Sequence, residues 1–343
     1  MQFFVTGPIN YGYSRSVIRA IEAAKHEAEF YPMREFYVQA SYWQRKLYKL
    51  GCTSLRENYD WEWESALLTQ VEALRPDCVL VLNGAMLTER LLERLVRFCP
   101  HVVLWLWDGL VRFGGERIAA LLPYLSCIAV FEYDDLAKLM EFRGKTLYLP
   151  LGYDEAIYEK AFPPQRDIDI AFVGMPSEER VLTMDTVAAY AASRGRRLFV
   201  GGEWYDKRFW KKVRYRRKHS QLYPFIDNRL LSLAEVADIY KRSRICLNIG
   251  VSEHRSINPR AFELVASGTL QIMKAGQALH DRLRMGEDLL QYRDVPEILH
   301  LLEQFLQDEE ARSHIAAHGY DYNKERNSMR AIVGELLKAV SDA

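Results

Sequence analysis

The feature that most constrains this sequence is a series of short runs that are apolar at every position. Residues 78–82 (CVLVL) form one such run, and residues 102–106 (VVLWL) form another. A strand with one face in water alternates polar and apolar residues, whereas a strand covered on both faces is apolar throughout. Each run is followed by a turn, and most runs are then followed by a helical segment. This alternation predicts an α/β fold in which helices cover parallel, doubly wound sheets.

The pattern occurs twice, on either side of a linker-like segment at residues 161–165 (AFPPQ). Predicted strands occupy residues 3–6, 78–82, 102–106, 128–131, 146–149, 168–173, 197–200, 244–249, 270–273 and 289–292. Predicted helices occupy residues 14–27, 88–98, 178–194, 234–241, 260–267, 296–307 and 327–340. We therefore expect two Rossmann-like domains. Because ligands bind beyond the carboxyl ends of parallel strands, we expect a ligand site in a cleft where these domains face each other.

Length and composition agree with this organisation. The chain has 343 residues, and single hydrophobic cores stop growing at about 250–300 residues. A hydrophobic fraction of 49% and a charged fraction of 27% exclude a disordered or collagen-like chain. The formal net charge of zero is a cancellation, because residues 1–165 carry −3 and the remainder carries +3. An anionic partner is therefore not excluded.

The cysteines indicate a reducing compartment. The chain has 5 cysteines with no CxxC spacing and no zinc pattern, and Cys78, Cys127 and Cys246 fall in predicted strands. Residues 1–5 (MQFFV) have no features of a signal peptide, and no apolar run approaches the roughly 20 residues of a membrane-spanning helix. We expect a cytoplasmic location, with membrane association as an alternative.

Two turns are candidates for ligand contact. The first runs from Gly7 through Asn10 and Tyr11 to Gly12. It lacks the G-x-G-x-x-G pattern, but its glycines would let a ligand approach the backbone closely. The alternative is an ordinary turn between a strand and a helix. The second begins at Gly174, which precedes a helix whose N-terminus would attract a pyrophosphate. Arg180 would form an ion pair with that pyrophosphate. The alternative is an arginine exposed to solvent.

The most specific segment is residues 252–268, a polar loop that leads from a strand into a short helix. Asn258 lies near the start of this helix, and Glu263 lies inside it among apolar neighbours. A buried carboxylate needs a partner, and a ribose hydroxyl pair is one candidate. The alternative is a glutamate on a solvated helix face.

These residues carry a resemblance to a known family. Asn258-x-Arg260-x-Phe262-Glu263 followed by Ala266-x-Gly268 resembles the N-x-R-x-F-E-x-x-A-x-G block of the CgeB-like (spore maturation protein) glycosyltransferases. These are GT-B enzymes related to the glycosyltransferase family 1/4 group. Supporting similarities lie at residues 76–77, 105–108, 148–152, 168–174 and 239–249.

The resemblance implies a metal-independent glycosyltransferase of the hexosyltransferase type, without a cofactor, that uses a UDP-, GDP- or dTDP-sugar donor. It implies an acceptor-side domain at 1–160, a donor domain at 161–325, and a C-terminal helix at 326–343 that packs back on the first domain. The acceptor would approach residues 7–12 and the strand end at Asp108. In the donor site that the resemblance implies, Glu263 would bind the ribose hydroxyls. Arg260, Gly174 and Arg180 would lie at the pyrophosphate, and Asn258 would organise the loop or contact the sugar.

One departure affects the predicted chemistry. Retaining relatives have two glutamates spaced as E-x7-E, and Arg255 occupies the position eight residues before Glu263. Arg255 would stabilise the leaving phosphate. His254 or Asp108 would act as the base of an inverting reaction, whereas a retaining reaction needs no dedicated base. His254 alternatively has no chemical role.

Residues 207–218 (KRFWKKVRYRRK) hold eight Lys and Arg residues interleaved with aromatic residues. This stretch suits an anionic membrane, a nucleic acid or an anionic acceptor, and the alternative is a solvated charge run. The acceptor would be a glycan, a lipid-linked molecule or a protein. Three further functions stay open: a nucleic-acid glycosyltransferase, a sugar-nucleotide epimerase and a non-catalytic sugar-nucleotide-binding homologue.

Overall fold

A computed structural model describes residues 1–9, 12–33, 36, 40–159, 165–250 and 255–342. The chain divides into two compact units. The first unit comprises Met1–Leu151 and Met329–Ala343, and the second comprises Gly152–Ser328. The α/β class predicted from the apolar runs is confirmed in both units.

The first unit is built on a six-stranded parallel sheet with the order β2-β1-β3-β4-β5-β6. Its strands are β1 (Gln2–Gly7), β2 (Glu27–Pro32), β3 (Cys78–Leu82), β4 (His101–Trp105), β5 (Cys127–Val130) and β6 (Lys145–Tyr148). The strand order reverses between β1 and β3, so these two strands flank the point at which open α/β sheets bind ligands.

Helices cover both faces of this sheet. They are α1 (Tyr13–Ala23), α2 (Tyr42–Lys49), α3 (Ser54–Leu74), α4 (Glu89–Leu95), α5 (Leu110–Phe113) and α6 (Gly115–Leu121), with 3-10 turns at Leu122–Tyr124 and Tyr133–Leu139. One face packs on α3 and α4 through a core that includes Trp63 and Leu67. The other face packs on α1 and on the last helix, α14 (Met329–Ser341), through residues that include Ile21 and Leu336.

The second unit has a six-stranded parallel sheet with the order β12-β11-β10-β7-β8-β9. Its strands are β7 (Ile168–Val173), β8 (Leu198–Gly201), β9 (Ile226–Asp227), β10 (Ser243–Asn248), β11 (Leu270–Lys274) and β12 (Leu290–Tyr292). Counted within the unit, this is the 3-2-1-4-5-6 order of the Rossmann fold, and the order reverses between β7 and β10.

The helices of the second unit begin with a short one directly after the unit boundary. They are α7 (Glu155–Tyr158), α8 (Glu178–Ser193), α9 (Phe209–Lys218), α10 (Leu233–Arg242), α11 (Pro259–Ala266), α12 (Val295–Gln307) and α13 (Glu309–Asn327), with a 3-10 turn at Tyr223–Phe225.

The first boundary between the units differs from the expected position at residue 160. The segment just before that position belongs to the second unit because its aromatic side chains are in that unit's core. Tyr153 is fully buried, and the ring of Tyr158 stacks on that of Tyr240 at 6.4 Å. The other boundary follows Ser328 rather than residue 325.

Candidate functional site

The carboxyl ends of β7 and β10 form the strand-order reversal of the second unit. The residues at these ends include Gly174, directly after β7, and Asn248, the last residue of β10. The helix α11 begins eleven residues after the end of β10 and packs against this strand. The sequence-predicted residues Gly174, Arg180, Asn258 and Arg260 all lie at or near this edge.

Gly174 lies at a point of close backbone approach. A Cβ atom at Gly202 would lie 2.4 Å from the carbonyl oxygen of Gly174, and Gly202 has a φ of +128°. A Cβ atom on Gly174 itself would lie 3.3 Å from Nη2 of Arg260. A glycine at position 174 therefore lets the guanidinium of Arg260 approach the end of β7.

Arg260 lies in the first turn of α11. Its guanidinium lies 5.9 Å from the ring centre of Phe172, and its charge acts on the nearby hydroxyl of Tyr240. The side chain is only partly buried, so its charge remains available to a ligand beside Gly174. Since an N-terminal helix end also carries a partial positive charge, this corner of the sheet favours an anion.

Arg180, for which the resemblance implies a phosphate contact, hydrogen-bonds to backbone carbonyl groups in this structure. It is 8% exposed, and its Nε and Nη2 donate hydrogen bonds to the carbonyl oxygen of Ile249 at 3.0 and 2.9 Å. Nη1 donates to the carbonyl oxygen of Met175 at 2.8 Å. Burial, together with the nearby charge of Arg260, lowers the pKa of Arg180 to about 10. Arg180 therefore joins the loops that follow β7 and β10.

Asn258 organises the start of α11 through a network of amides. As the N-cap, its Oδ1 accepts a hydrogen bond from the backbone N–H of Ala261 at 3.2 Å. Its Nδ2 donates to Gln277 at 3.1 Å and to Asn248 at 3.3 Å. Asn248 also donates to Gln271 on β11, and both of these amides are fully buried. The network links the end of β10, the strand β11 and the loop after β11 to the start of α11.

Replacing Asn258 separates its capping role from its amide contacts. We expect Asn258→Ala to lower the free energy of unfolding by about 2 kcal/mol, because the cap and the amide partners are both lost. Asn258→Ser keeps a capping oxygen, so we expect it to lose about 1 kcal/mol or less. Urea unfolding followed by circular dichroism measures both variants. Equal loss in the two variants would show that the cap contributes nothing.

Glu263 lies in the middle of α11, is 8% exposed and is surrounded by buried residues. Of the two alternatives for Glu263, a buried carboxylate and a glutamate on a solvated helix face, the structure shows the buried one. Burial raises the pKa of the Tyr240 hydroxyl, Arg260 opposes this rise, and Glu263 adds to it. Glu263 and Arg260 thus both act electrostatically on Tyr240.

Of the two candidate catalytic residues in the loop before α11, His254 and Arg255, the structure describes only Arg255. His254 lies outside the described residues. The side chain of Arg255 is exposed, and its carbonyl oxygen accepts a hydrogen bond from the N–H of Ala278 at 2.7 Å.

A groove of about 640 Å³ opens at the same edge of the second sheet. The end of β11 contributes Lys274, which forms an ion pair with Glu179 at the start of α8. The remaining lining residues come from the ends of β10 and β12 and from the first turns of α8 and α12: Ser177, Glu178, Leu182, Thr183, Gly250, Tyr292, Arg293, Asp294 and Val295. No sequence motif predicts this groove, although a lysine that ends an apolar strand is a usable signal.

In the first unit, the predicted acceptor-side residues lie at the ends of β1 and β4. A Cβ atom on Gly7 would lie 2.7 Å from Cβ of Leu82, so β1 and β3 approach closely here. Gly12 is the N-cap of α1 and has a φ of 75°. Asp108 is partly exposed and pairs with Arg112 at 3.1 Å. Asn10 and Tyr11 lie outside the described residues.

Most of the basic stretch folds as α9, in which no residue is buried. Phe209 and Trp210 are exposed, and their rings contact each other at 5.0 Å between centres. Arg208 and Lys211 pair with Asp206. On the inner side of α9, the ring of Tyr215 packs against that of Tyr205, with 5.2 Å between the ring centres.

The described residues contain neither a membrane-spanning helix nor a metal-binding cluster. Within these ranges, no helix is long and apolar enough to cross a membrane. In the same part of the chain, no group of three or more His, Cys, Asp or Glu side chains is arranged to hold a metal ion.

A family model described as "Glycosyl transferase-like" matches residues 181–338. This segment includes most of the second unit, with β10, α11 and the amide network. Residues 181–338 are therefore similar to glycosyl transferase-like sequences. The match confirms the predicted enzyme class, a glycosyltransferase, but it does not confirm the CgeB-like branch. Among curated proteins, no sequence matches.

Solved structures establish the fold across the whole chain. Sucrose-phosphate synthase from Thermosynechococcus elongatus has 14% identity and a TM-score of 0.65, with coverage of 100% of this chain and 99% of that chain. HepE from Anabaena, solved in complex with UDP, has 10% identity, a TM-score of 0.66 and full coverage of both chains. A UDP-forming trehalose-phosphate synthase from Burkholderia xenovorans has 14% identity, a TM-score of 0.64 and coverage of 99% and 98%. The predicted GT-B fold class is confirmed.

Proposed function

We propose that this protein transfers a glycosyl group from a nucleoside-diphosphate sugar to an acceptor hydroxyl, with the donor at the carboxyl edge of the second sheet. The observation that carries the proposal is the guanidinium of Arg260 beside Gly174, at the strand-order reversal of a glycosyl transferase-like domain. A diphosphate is the part of the donor that this corner would bind.

In the proposed reaction, the bond between the anomeric carbon and the β-phosphate oxygen breaks, and the acceptor oxygen bonds to the anomeric carbon. The diphosphate leaves with the electron pair, so negative charge grows where Arg260 and the N-terminal end of α11 would lie. Fixed positive groups at such a position lower the barrier because they need no reorganisation. We propose that the reaction needs no metal ion, so transfer should persist in the presence of EDTA.

We propose UDP as the nucleotide, because HepE was solved in complex with UDP and with UDP-glucose. Glu263 is the proposed ligand of the ribose hydroxyls. Its burial supports this role, since a carboxylate with little access to water binds a hydroxyl pair more strongly than one on an open surface.

Calorimetric titration with UDP, GDP and dTDP tests this assignment. We expect wild-type protein to bind UDP most tightly, and Glu263→Gln to weaken UDP binding by about tenfold or more, because a charged acceptor of two hydrogen bonds is lost. Glu309→Gln is the matched control, since Glu309 is 84% exposed and lies at the opposite edge of the sheet. No nucleotide binding by the wild type would contradict the proposal.

The acceptor hydroxyl loses its proton in either course of the reaction, and a reaction that inverts the anomeric carbon needs an enzyme side chain as the base. We propose that Arg255 faces the leaving diphosphate and that the base is His254 or Asp108. Incubation with the donor alone separates the enzyme classes: a new sugar nucleotide indicates an epimerase, slow hydrolysis indicates a transferase, and no turnover indicates a binding homologue. The acceptor is identified by offering a glycan, a lipid-linked molecule, a protein and a nucleic acid in turn. The class that acquires label from the sugar donor is the acceptor.

A further inference from the structure

The helix α2 (Tyr42–Lys49) exposes apolar side chains that the fold does not use. Trp43 is 66% exposed, Leu47 is 45% exposed, and Leu50, directly after the helix, is 73% exposed. The spacing of these three residues is i, i+4 and i+7, so they lie on one side of the helix. We call Trp43, Leu47 and Leu50 the α2 stripe.

The stripe is bordered by positive charge. Lys46 lies 5.3 Å from the ring centre of Trp43, and Lys49 follows in the last turn of α2. The helix also contains Arg45, and residues 40–55 contain no Asp or Glu. The next acidic residues along the chain are Glu57 and Asp60, and Arg56 pairs with Asp60 at 3.5 Å.

Other residues hold α2 in place. The ring of Tyr48 contacts that of Phe36 at 5.4 Å, and Arg56 donates a hydrogen bond to the hydroxyl of Tyr48 at 3.4 Å. At the N-terminus, Ser41 and Gln44 form a reciprocal capping box. The helix is therefore fixed through its inner side and its N-cap, and the outward stripe is available for an external contact.

We propose that the α2 stripe docks this protein on the surface of an anionic lipid bilayer. Trp and Leu on one side of a short helix, with lysines beside them, are the composition of helices that lie in the membrane interface. A helix of 8 residues is too short to span a bilayer, which takes about 20 residues.

A protein partner fits this surface less well. Three side chains along two helical turns form a narrow strip, and a stable protein interface buries about 800 Å² on each partner. Lysines are also depleted in the cores of such interfaces. Nucleic acid is disfavoured because leucines offer no stacking surface for bases. Docking needs neither donor nor turnover, so its test is independent of the proposed function.

Sedimentation with vesicles tests the proposal. We expect the wild type to bind vesicles of equimolar phosphatidylglycerol and phosphatidylcholine, and to bind phosphatidylcholine alone at least about tenfold more weakly. Leu50→Glu should weaken binding to the anionic vesicles about tenfold or more, because it places a carboxylate in the interface. Leu230→Glu is the matched control, since Leu230 is 77% exposed and lies in the second unit.

A second measurement uses the unmodified sequence. Cys52 is exposed, whereas Cys78, Cys99, Cys127 and Cys246 are buried. Burial raises the pKa of the Cys127 thiol to about 12 and that of Cys246 to about 11, so these thiols are poor nucleophiles at neutral pH. A polarity-sensitive fluorophore attached to Cys52, two residues after Leu50, should shift to the blue with anionic vesicles.

Four outcomes would overturn the proposal. The first is equal retention of Leu50→Glu and the wild type on anionic vesicles, and the second is an unchanged fluorophore spectrum. The third is loss of vesicle binding in an α9 variant that combines Arg214→Glu with Arg217→Glu, together with normal binding by Leu50→Glu. That result would assign docking to α9. The fourth is conversion of a dimer into a monomer by Leu50→Glu in sedimentation velocity, which would make the stripe a protein interface.

Discussion

Arg260→Ala is expected to lower kcat/KM for sugar transfer by about 10²–10³-fold. The guanidinium lies at the end of β7, where a Cβ on Gly174 would be 3.3 Å from its Nη2, and it lies in the first turn of α11. No acidic side chain is recorded in an ion pair with it among the described residues. Its charge is therefore available to the leaving diphosphate, and its removal should raise the barrier to bond breaking.

The controls for this prediction separate charge from geometry. Arg260→Lys keeps the charge but loses the planar fork, so we expect an intermediate loss. Arg293→Ala removes an arginine that lines the groove, but Arg293 has an 84% exposed side chain and pairs with Glu297 at 3.6 Å. We expect its kcat/KM to stay within about threefold of wild type. If Arg260→Ala behaved like Arg293→Ala, the diphosphate would not bind at this corner.

Arg180→Met is expected to lower the free energy of unfolding by about 3 kcal/mol. Two effects oppose each other. The buried charge is itself unfavourable, as the lowered pKa of Arg180 shows, and methionine removes that penalty. Methionine also leaves the carbonyl oxygens of Ile249 and Met175 without the donors they have now. The second effect should win, because a buried carbonyl without a donor costs about 1–3 kcal/mol.

The matched control is Arg194→Met at the C-terminal end of α8. Arg194 has a 58% exposed side chain and pairs with Glu303 at 3.5 Å, so its loss should cost about 0.5 kcal/mol or less. Urea unfolding compares the two variants. Arg180→Met should also weaken UDP binding, since the loops after β7 and β10 lose their connection. Equal stability of the two variants would refute the positioning role of Arg180.

The sequence predicted those helices and strands whose buried positions hold apolar residues. Strand β3 was predicted with its observed bounds because all five residues are apolar. The edge strand β2 was missed, because Glu27 and Glu29 occupy its exposed positions. Helix α13 was missed as well, since its buried residues include Asn323 and Asn327 in place of an apolar stripe. The amide of Asn323 donates to the carbonyl oxygen of Phe262, a contact that no local pattern reveals.

The site was predictable only where a motif spans adjacent residues. Asn258 was predicted near the start of α11, and the structure makes it the N-cap. The amide partners of Asn258 come from β10 and from the loop after β11, so only the folded sheet brings these amides together. An amide inside an apolar run, such as Gln271 in β11, was nevertheless a signal in the sequence. The role of Arg180 was not predictable, because the two carbonyl groups it binds follow different strands.

The first unit is assembled from two separate segments of the chain, and this has a consequence for biosynthesis. Its core contains side chains of α14, such as Ile332 and Leu336, packed with those of α1. The second unit is continuous in sequence. A ribosome therefore delivers everything the second unit needs before it delivers the helix that completes the first. The unit that is translated first is therefore completed last. Until α14 emerges, α1 covers this face of the sheet only in part, and the apolar side chains left exposed are ones that chaperones would recognise.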